Sequence, residues 1–423
     1  MSARAQLREL FDAMVRRGDP MHSLPELLPE TPLGRTVLLG AGKASARMAE
    51  AVESRWGPCE GLIVTRHGYS RPGLGVEVVE AGHPYPDAAG EAAARRMVEI
   101  ARGLGPDDTA ICLVSGGASS LLSLPPPGVT LDDLRMITQD LLSTGAPIEE
   151  VNVVRRHLCA AKGGRLALAA HPARVLSFII SDVPGDDLAL VGSGPTVGHP
   201  SGPGHVRAIL HAHRVAVPAG VEAHLAAVSS HAVPDDARLA TTTNTLLVSP
   251  AQALAEVVSR ARGAGFHVTD LGADVEGDAA SVARAHAEMA LAIQADPDRL
   301  KPHLILSGGE LTVTVRGAGS GGPNAEYALA LALALDGAPG IHAMACDTDG
   351  VDGIADVAGA YIHPGTLTAA RRAGRNPARD LADNDAHGFH AATGGAVVTG
   401  PTYTNVNDFR AILVEGPSDG KKV

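Results

Sequence analysis

Lys43 lies in a glycine loop that follows a short apolar run, Val37 to Gly40. Gly40 and Gly42 permit a tight turn, and a helix-forming segment begins at Ala44. This pattern predicts a parallel strand that feeds a helix, whose N-terminal N–H groups would bind an anion. A lysine there adds a full positive charge, which suits phosphate or carboxylate. We therefore expect Lys43 to lie at the centre of an anion site.

Two known phosphate-binding loops differ from this one. A P-loop requires a glycine at the position of Val37 and a serine or threonine at that of Ala44. A dinucleotide fingerprint fits better, but Ser45 stands where its third glycine or alanine belongs. The next apolar run ends in Arg66 instead of an acidic residue. Because Arg66 could hold the 2′-phosphate of NADP, a reductase remains the alternative interpretation.

Three further stretches of the first half carry groups suited to chemistry. Ser115 to Ser120 is a loop of small residues and hydroxyls after an apolar run; it predicts either an anion-binding nest or a helix-capping turn. Arg155 and Lys162, seven positions apart, are predicted on one helical face, either as an anion clamp or as a solvated basic surface. Asp182 follows another apolar run, where a carboxylate can act as a base or hold Mg²⁺, whereas Asp186 and Asp187 are interpreted as caps.

The second half contains similar loops, each of them a weak signal by itself. Leu306 to Glu310 reads Leu-Ser-Gly-Gly-Glu, and Gly317 to Glu326 is a glycine loop that opens a strong helix, a pattern that binds phosphate. Asp347 and Asp352 lie in an aspartate- and glycine-rich loop that could coordinate a cation. A polar loop, Thr402 to Asp408, precedes the last strand.

Composition excludes several classes of function. The net charge of −12 argues against nucleic-acid binding, which needs a basic face, and 3% aromatic residues leave few stacking platforms. The four scattered cysteines, with no Cys-x-x-Cys, predict free thiols in a reducing compartment. No segment has the length of a membrane span or the apolar core of a signal peptide, so we expect a cytoplasmic protein without membrane contact.

Periodicity predicts the elements that position these loops. Continuous apolar strands alternate with helices through the first half, which indicates a Rossmann-like, doubly wound parallel sheet covered on both faces. The predicted strands of this half are 37–40, 62–65, 76–79, 110–114 and 175–180, and the helices between them are 44–56, 88–103, 131–143 and 151–170. Later predicted strands include 246–248 and the alternating run 311–315. The 423 residues are too many for one core, and composition changes near residues 231–243. We predict an N-terminal domain, 1–235, and a C-terminal α/β domain with a mixed sheet, 240–423. The N-terminal segment, with Leu7, Leu10, Phe11 and Met14 at helical spacing, predicts a docking helix.

Taken in order, these loops resemble the glycerate 2-kinase family over nearly the whole chain. The stretches that carry the resemblance read GAGKAS, SGGASS, VRRHLCAAKGGRLA, SDVPGDDLALVGSGPT, LSGGE, GSGGPNAE, CDTDGVDG and TNVND. The family's C-terminal half is the MOFRL domain, and older names for such proteins are hydroxypyruvate reductases. The resemblance implies two α/β domains with an active site in the cleft between them, and transfer of phosphate from ATP, with Mg²⁺, to D-glycerate to form 2-phosphoglycerate.

The loops and the resemblance together give the predicted site. The family's lysine and aspartate fall on Lys43 and Asp182, and we add Arg155 as a third group that acts on the substrate. The remaining predicted contacts are to substrate or phosphate (Gly42, Ser115, Gly116, Gly117, Ala118, Ser119, Lys162), to nucleotide (Gly308, Gly309, Glu310, Gly321, Gly322, Asn324, Glu326, Asn405, Asn407, Asp408) and to metal (Asp347, Asp352). A homodimer is compatible with the sequence.

One position departs from the family pattern. Many relatives read Gly-Gly-Arg-Asn-Gln-Glu where this chain has Gly321 to Glu326, so Pro323 replaces the arginine proposed to stabilise the transferred phosphoryl group. Pro323 has neither charge nor N–H. We predict that Arg155, and not the nearby Arg316, supplies the missing cation. A reductase and a small-molecule sensor of the same fold stay as alternatives to the kinase.

Overall fold

The computed structural model describes residues 1–227, 233–353 and 355–416. The helices in these residues are α1 Ala3–Gly18, α2 Leu24–Leu27, α3 Ser45–Trp56, α4 Ala88–Arg102, α5 Ala118–Leu121, α6 Leu131–Ser143, α7 Ile148–His157, α8 Arg165–Ala170, α9 Pro203–Ala212, α10 Ala219–Ala227, α11 Pro250–Gly263, α12 Ala279–Ala295, α13 Pro323–Leu335, α14 Thr366–Arg372, α15 Pro377–Ala382 and α16 Ala386–Thr393. The strands are β1 Thr36–Ala41, β2 Glu60–Arg66, β3 Glu77–Ala81, β4 Thr109–Val114, β5 Arg174–Ile180, β6 Thr242–Val248, β7 His267–Asp270, β8 Gly277–Asp278, β9 His303–Ser307, β10 Leu311–Thr312, β11 Ile341–Asp347, β12 Gly359–Ile362, β13 Ala396–Val397 and β14 Asp408–Val414.

The N-terminal unit, Asp19–Leu247, is built on a six-stranded sheet. The strand order is β3-β2-β1-β4-β5-β6, and the pairs β1–β2, β1–β4, β2–β3 and β4–β5 are parallel. Every residue of β4 is buried, as expected for a strand covered by helices on both faces. The order reverses between β1 and β4, which is the place where ligands bind in open α/β sheets. The predicted Rossmann-like, doubly wound sheet is confirmed.

The C-terminal unit begins at Val248 and includes the first helix, Met1–Gly18. Its sheet has the order β13-β12-β11-β14-β9-β7, in which β7 and β9 are parallel and the other neighbours are antiparallel. Helices α12 and α13 pack together over one face through alanine and leucine side chains. The predicted mixed sheet is therefore confirmed.

Helix α1 packs against α11, β11 and β14. Its apolar stripe, which includes Leu7 and Phe11, is fully buried, and the Phe11 ring lies edge-on to Phe409 with ring centroids 5.8 Å apart. The predicted docking helix is confirmed. Its partner is the C-terminal unit, so the first eighteen residues do not belong with the sheet that follows them in sequence.

Strand β6 is longer than predicted and lies in the other sheet. The sequence places Leu246–Val248 after a boundary at residues 235–240, whereas β6 begins at Thr242 and is hydrogen bonded beside β5. Thr196 secures this edge, since its hydroxyl lies 2.6 Å from Asn244 Oδ1 and 2.9 Å from Ser177 Oγ. By contacts the division falls after Leu247.

Two predicted elements are wrong in extent. The single helix predicted over 151–170 is two helices, α7 and α8, because Gly163 (φ 59°) and Gly164 (φ 78°) adopt left-handed conformations between them. The alternating strand predicted over 311–315 is reduced to β10, which pairs in parallel with β8. Among the described residues, no helix combines the length and apolar character needed to cross a bilayer.

Candidate functional site

The Lys43 loop lies against the Ser115 loop at the carboxyl ends of β1 and β4. Lys43 N–H donates to the carbonyl of Gly116 at 2.9 Å, and Ala44 N–H donates to Ser115 Oγ at 3.0 Å. Ser115 N–H in turn donates to the carbonyl of Ala41. These bonds join the two predicted loops at the point where the strand order reverses.

The backbone of the Lys43 loop is not the open anion nest that the sequence predicts. Its N–H donors are already used, those of Gly42 and Ser45 by the carbonyls of Val64 and Gly42 and those of Lys43 and Ala44 by the Ser115 loop. Any anion at this loop must therefore bind the side chain of Lys43 instead of these four backbone amides.

Neighbouring atoms lie so close to Gly42 and Gly117 that a side chain would not fit at either position without displacing a neighbour. At Gly42, where φ is 135°, an added Cβ would lie 2.2 Å from Ser115 Oγ. At Gly117 it would lie 3.3 Å from Lys43 Cγ and 3.0 Å from the Cδ2 atom of His83. The two glycines thus let Lys43, the Ser115 loop and His83 come together. Sequence reasoning missed His83, which no motif marks.

Ser119 and Lys162 belong to a second set of contacts beside this loop. Lys162 Nζ donates to the carbonyl of Ser119 at 2.5 Å, and Ser119 Oγ lies 2.8 Å from Ser193 Oγ. Ala118 and Ser193 are fully buried, and Lys162 is 2% exposed. Burial lowers the pKa of the Lys162 ammonium to about 8, and Cys159, Arg155 and Arg156 add smaller electrostatic contributions. The Lys162 ammonium therefore contacts this loop through the carbonyl of Ser119.

Arg155 and Lys162 do not share a helical face, contrary to the prediction, because α7 ends at His157 and Lys162 lies in the connection to α8. Arg155 is half-buried, and burial lowers the pKa of its guanidinium. Its neighbour Arg156 is 1% exposed and donates Nη2 to the carbonyl of Ala189 at 2.9 Å. The structure thus adds Arg156 to the predicted cations of this segment.

Asp182 is half-buried and stands two residues beyond the end of β5, where the sequence predicts it. Asp187 Oδ1 accepts the N–H of Ala189 at 2.9 Å, so it caps a turn as predicted. Asp186 adopts a left-handed conformation, with φ 56°. Of these three aspartates, Asp182 lies nearest to the end of the strand.

In the C-terminal unit the N-terminus of α13 is capped from within the protein. Asp352, which is 1% exposed, accepts the N–H of Asn324 at 2.9 Å and that of Ala325 at 2.8 Å, and its Oδ2 lies 3.2 Å from His387 Nε2. The phosphate-binding pattern of residues 317–326 is therefore misleading at this helix end. A carboxylate of the chain occupies the place where the sequence predicts an anionic ligand.

Asp408 and Arg410 organise the loops around this helix. Arg410, 1% exposed, lies 3.1 Å from Asp408 Oδ2 and donates to the carbonyls of Gly308 and Gly309. Asn324 Nδ2 donates to Asp408 Oδ1 at 2.8 Å. Burial raises the pKa of Asp408 to about 7, against the lowering effect of Arg410 and Asn324. Several residues that were predicted to contact the nucleotide thus form a buried network. No sequence motif marks Arg410, so the sequence did not predict this network.

Glu326 supports the glycine loop. Its Oε2 accepts Asn384 Nδ2 at 3.0 Å, while Asn384 Oδ1 accepts the N–H groups of Arg316 and Gly317. Burial raises the pKa of Glu326. Gly321 is close to the same segment, since its added Cβ would lie 3.0 Å from the carbonyl of Asn384. Glu326 therefore supports the glycine loop through Asn384. The side chain of Glu310, which was also predicted to contact the nucleotide, is exposed.

The polar loop before β14 is held by its own side chains. Asn405 Oδ1 accepts the N–H of Asn407, and Asn407 Oδ1 accepts that of Asp408 at 2.8 Å. The Asn407 carbonyl accepts the Thr348 hydroxyl at 2.6 Å. Asn407 has a φ of 65°, a left-handed conformation that asparagine tolerates. These contacts fix the loop next to the Asp347 turn.

The predicted metal ligands are engaged in backbone contacts. Asp347 Oδ1 accepts the N–H of Asp349 at 2.8 Å, and both oxygens of Asp352 cap α13. Across residues 1–227, 233–353 and 355–416, no three His, Cys, Asp or Glu side chains converge to hold a metal ion. Mg²⁺ usually needs only one or two carboxylates when phosphates supply the other ligands. The described residues therefore form no metal cage made of protein alone, and Asp347 and Asp352 would serve only as one or two ligands beside nucleotide phosphates.

A cavity of about 750 Å³ in the C-terminal unit lies elsewhere. It is lined mainly by α1 and by residues of the α11 end and β14, among them Glu9, Arg16 and Arg260. None of the predicted site residues lines it. This cavity therefore does not identify the functional site.

The four cysteines are free, as predicted, and all of them are buried. Burial raises the pKa of Cys112 to about 12.

Fold and site together define a two-unit α/β enzyme with a lysine at the switch point of a doubly wound sheet. Two family models match the chain: a domain of unknown function, DUF4147, over residues 6–226, and the MOFRL family over residues 303–408. The chain belongs to the glycerate 2-kinase family, as the sequence motifs predicted.

Known relatives resemble this chain over nearly its full length. A Thermotoga maritima protein named D-glycerate 2-kinase is 35% identical over 92% of this chain and 93% of its own. An Agrobacterium vitis protein with the provisional name hydroxypyruvate reductase is 44% identical over 98% of this chain and 95% of its own. The crystal structure of a glycerate kinase from Thermotoga maritima superposes with a TM-score of 0.85 at 33% identity, covering 96% of this chain and 98% of that one.

Proposed function

We propose that this protein transfers the γ-phosphoryl group of ATP, bound as its Mg²⁺ complex, to the 2-hydroxyl of D-glycerate. The products are 2-phosphoglycerate and ADP. The observation that carries this proposal is the position of Lys43, which the Ser115 loop holds at the switch point of the parallel sheet. Relatives named as glycerate kinases, matched over nearly the whole chain, support the choice of substrate.

The chemistry balances with the groups at the carboxyl ends of the strands. A bond forms between the 2-hydroxyl oxygen of glycerate and the γ-phosphorus, and the bond from that phosphorus to the bridging oxygen of ADP breaks. The hydroxyl proton passes to Asp182, whose carboxylate is placed by the end of β5. Phosphoryl transfer depends mainly on positioning and charge neutralisation. Lys43 supplies a fixed cation for this purpose, and Arg155 takes the role of the arginine that Pro323 replaces.

Loops of the C-terminal unit bind the nucleotide in this proposal. The residues predicted for it are ordered by buried contacts, with Arg410 holding Gly308 and Gly309 and Asp352 holding Asn324. Because Asp352 caps α13, the nucleotide phosphates cannot use the N–H groups of Asn324 and Ala325. Asp347 and Asp352 are the predicted carboxylates that would hold Mg²⁺ brought by the nucleotide, and the ion would neutralise charge at the phosphates. A homodimer stays a prediction.

A product assay tests this function. Purified protein is incubated with D-glycerate, ATP and Mg²⁺, and ³¹P NMR separates 2-phosphoglycerate from 3-phosphoglycerate and from ADP. We expect 2-phosphoglycerate and ADP in equal amounts. Formation of 3-phosphoglycerate would contradict the proposed regiochemistry, and no phosphorylated product would contradict the kinase itself.

The second candidate is an NAD(P)H-dependent hydroxypyruvate reductase, which the provisional name of the Agrobacterium vitis relative favours. A dinucleotide would need the amides of the Gly40–Gly42 turn, but those of Gly42 and Lys43 are bonded within the chain. Arg66, the residue suited to an NADP phosphate, lies over the Tyr69 ring at 4.8 Å from its centroid. Loss of absorbance with hydroxypyruvate and NADH or NADPH would nevertheless establish this activity.

A further inference from the structure

Four cations lie close together in the N-terminal unit without a carboxylate to balance them. They are Arg155, Arg156, Lys162 and Arg165, and in the described part of the chain none of them forms an ion pair. Arg165 Nη1 donates to the carbonyls of Arg156 and Lys162, both at 3.0 Å. Asp187 affects Arg156 electrostatically, but at a longer distance. This segment therefore carries positive charge that no ion pair within the described residues neutralises.

The two innermost cations have unsatisfied donors. Arg156 is 1% exposed, and neither its Nε nor its Nη1 has a partner among the described residues. Lys162 is 2% exposed, and its ammonium, which has three N–H groups, has one acceptor in the described residues, the Ser119 carbonyl. A buried cation without a counter-ion is costly. An anion that binds nearby removes much of this cost.

A pair of hydroxyls lies where such an anion would be received. Ser119 Oγ and Ser193 Oγ are 2.8 Å apart, and neither has a second partner within the described residues. Since one O–H group is enough to form their mutual hydrogen bond, the other remains available as a donor. Ser119 is half-buried and Ser193 fully buried, so the hydroxyl of Ser119 is the more accessible of the two.

The backbone at Ser193 is strained in a way that its neighbours are not. Gly192 (φ 57°), Ser193 (φ 62°) and Gly194 (φ 58°) are all left-handed, but Ser193 alone carries a side chain there. A side chain is strained in this conformation, because its Cβ lies too close to the following carbonyl oxygen. The carbonyls of Ser193 and Gly194 accept the N–H groups of Gly163 and Gly164, which locks this loop to the segment that carries Lys162.

We propose that the Ser119–Ser193 hydroxyl pair binds the carboxylate of the glycerate substrate, with Lys162 and Arg156 as positioning residues that neutralise it from behind. This assignment rests on the proposed function and specifies which part of the substrate this site holds. Ser119 touches the carboxylate. Lys162 acts through the Ser119 carbonyl and through its charge, and Arg156 acts through its charge alone.

Binding of the anion should be coupled to a proton. Burial holds the pKa of Lys162 near 8 in the free protein; Arg155 and Arg156 lower this pKa further, and Cys159 raises it. A bound carboxylate stabilises the ammonium and raises this pKa. At pH 8 to 9, glycerate binding therefore takes up a proton, and the affinity for glycerate falls as the pH rises above 8.

Calorimetry without ATP tests the assignment. D-Glycerate is titrated into the protein at pH 8.5 in two buffers of different ionisation enthalpy, which measures the proton uptake. We expect uptake with wild type, little or none with Lys162→Met, and retained binding without uptake with Lys162→Arg. Ser193→Gly removes the hydroxymethyl group and suits the left-handed backbone, so we expect affinity for glycerate to fall about tenfold without a lower melting temperature.

Two further probes identify the ligand group. Glycerol has a third hydroxyl in place of the carboxylate and should bind at least a hundredfold more weakly without proton uptake. Inorganic phosphate should cause less uptake than glycerate; if it alone causes uptake, the site takes phosphate and the carboxylate assignment is wrong. Unchanged glycerate binding in Ser193→Gly and unchanged uptake in Lys162→Arg would also overturn it.

Failure of this inference differs from failure of the proposed function. If wild type forms 2-phosphoglycerate while these variants leave the KM for glycerate and the proton uptake unchanged, the function stands and the carboxylate site is wrong. If wild type binds glycerate with proton uptake but forms no phosphorylated product, the kinase is wrong and the anion site stands. Lys162→Arg and Ser193→Gly keep the test usable if Lys162→Met does not fold.

Discussion

At the scale of single residues, the structure changes why Lys43 matters. The sequence combines a lysine with free amides at a helix end, but the amides of residues 42–45 are used within the protein. Only the side chain can meet an anion there. Ser115 and Gly116 thus hold the loop in place, and the loop positions the ammonium group of Lys43.

Removal of this ammonium is the first prediction. Lys43→Ala should lower kcat roughly a hundredfold or more, since a fixed cation that faces developing phosphoryl charge contributes several kcal/mol. The melting temperature should change little, because the side chain is half-buried and stands above the sheet. Steady-state kinetics and thermal unfolding check both statements. Near-normal turnover with an unchanged melting temperature would remove Lys43 from the mechanism.

Asp182 provides the second prediction. Asp182→Asn preserves size and removes charge, so kcat should fall steeply while the fold persists. Asp186→Asn is the matched control in the same loop, since asparagine tolerates the left-handed conformation at φ 56°. The control should retain activity. If Asp182→Asn changes only stability, then Asp182 is a structural residue like Asp187.

The third prediction concerns the cation that replaces the family arginine. Arg155 is half-buried and forms no ion pair in the described residues, whereas the side chain of Arg316 is exposed. Arg155→Met should therefore cause a large loss of kcat or a large rise in KM, and Arg316→Met a small one. The reverse order would place the cation in the C-terminal unit, and two mild effects would leave Lys43 and Mg²⁺ to neutralise the charge.

At the scale of elements, close backbone approach decides where the loops meet. Strands β1 and β4 are adjacent and parallel, so the segments that leave their carboxyl ends must pass within van der Waals distance. Gly42 allows this because it has no Cβ. The same principle joins the Gly163–Gly164 turn to the Gly192–Gly194 loop, although nearly thirty residues separate them in sequence.

Gly42→Ala tests this packing and is the fourth prediction. The new Cβ would meet Ser115 Oγ at 2.2 Å and force φ away from 135°, so stability and turnover should both fall. Gly68→Ala is the control: it also has a positive φ, 81°, but nothing lies within 4 Å of its Cβ position. The control should lose only about 1–2 kcal/mol from backbone strain. Equal losses in unfolding experiments would show that conformation, and not packing, makes Gly42 necessary.

At the scale of the whole molecule, the order of segments in the sequence does not match their division between the two units. Helix α1 precedes the N-terminal sheet but packs in the C-terminal unit, and β6 completes the first sheet just before the second unit begins. A boundary placed by composition at 235–240 removes β6 from its sheet. Each unit has its own apolar core.

Fragment stability is the fifth prediction. A fragment of residues 19–247 should fold and unfold cooperatively, because it contains the six strands of the sheet and its core. A fragment of residues 19–235 should be much less stable, since it leaves the edge of β5 without β6. Circular dichroism and urea unfolding compare the two. Equal stability would show that β6 contributes little and that the composition-based boundary suffices.

The sequence alone determined the local elements and the order of the loops. Apolar periodicity gave strands β1, β2, β4 and β5 within two residues of their observed ends, because buried parallel strands require continuous apolar runs. The motifs gave the family. Lys43 and Asp182 are predicted site residues because parallel strands present functional groups at their carboxyl ends, which is a local signal.

Tertiary structure alone decided which polar groups are free and which are used. Asp352 lies 28 residues from Asn324 and still caps α13, and Ser115 takes the amide of a residue 71 positions earlier. Arg156 and Ser193 become candidates only when burial and missing partners are known. A sequence shows which side chains can donate or accept; the long-range contacts that satisfy them form only when the chain folds.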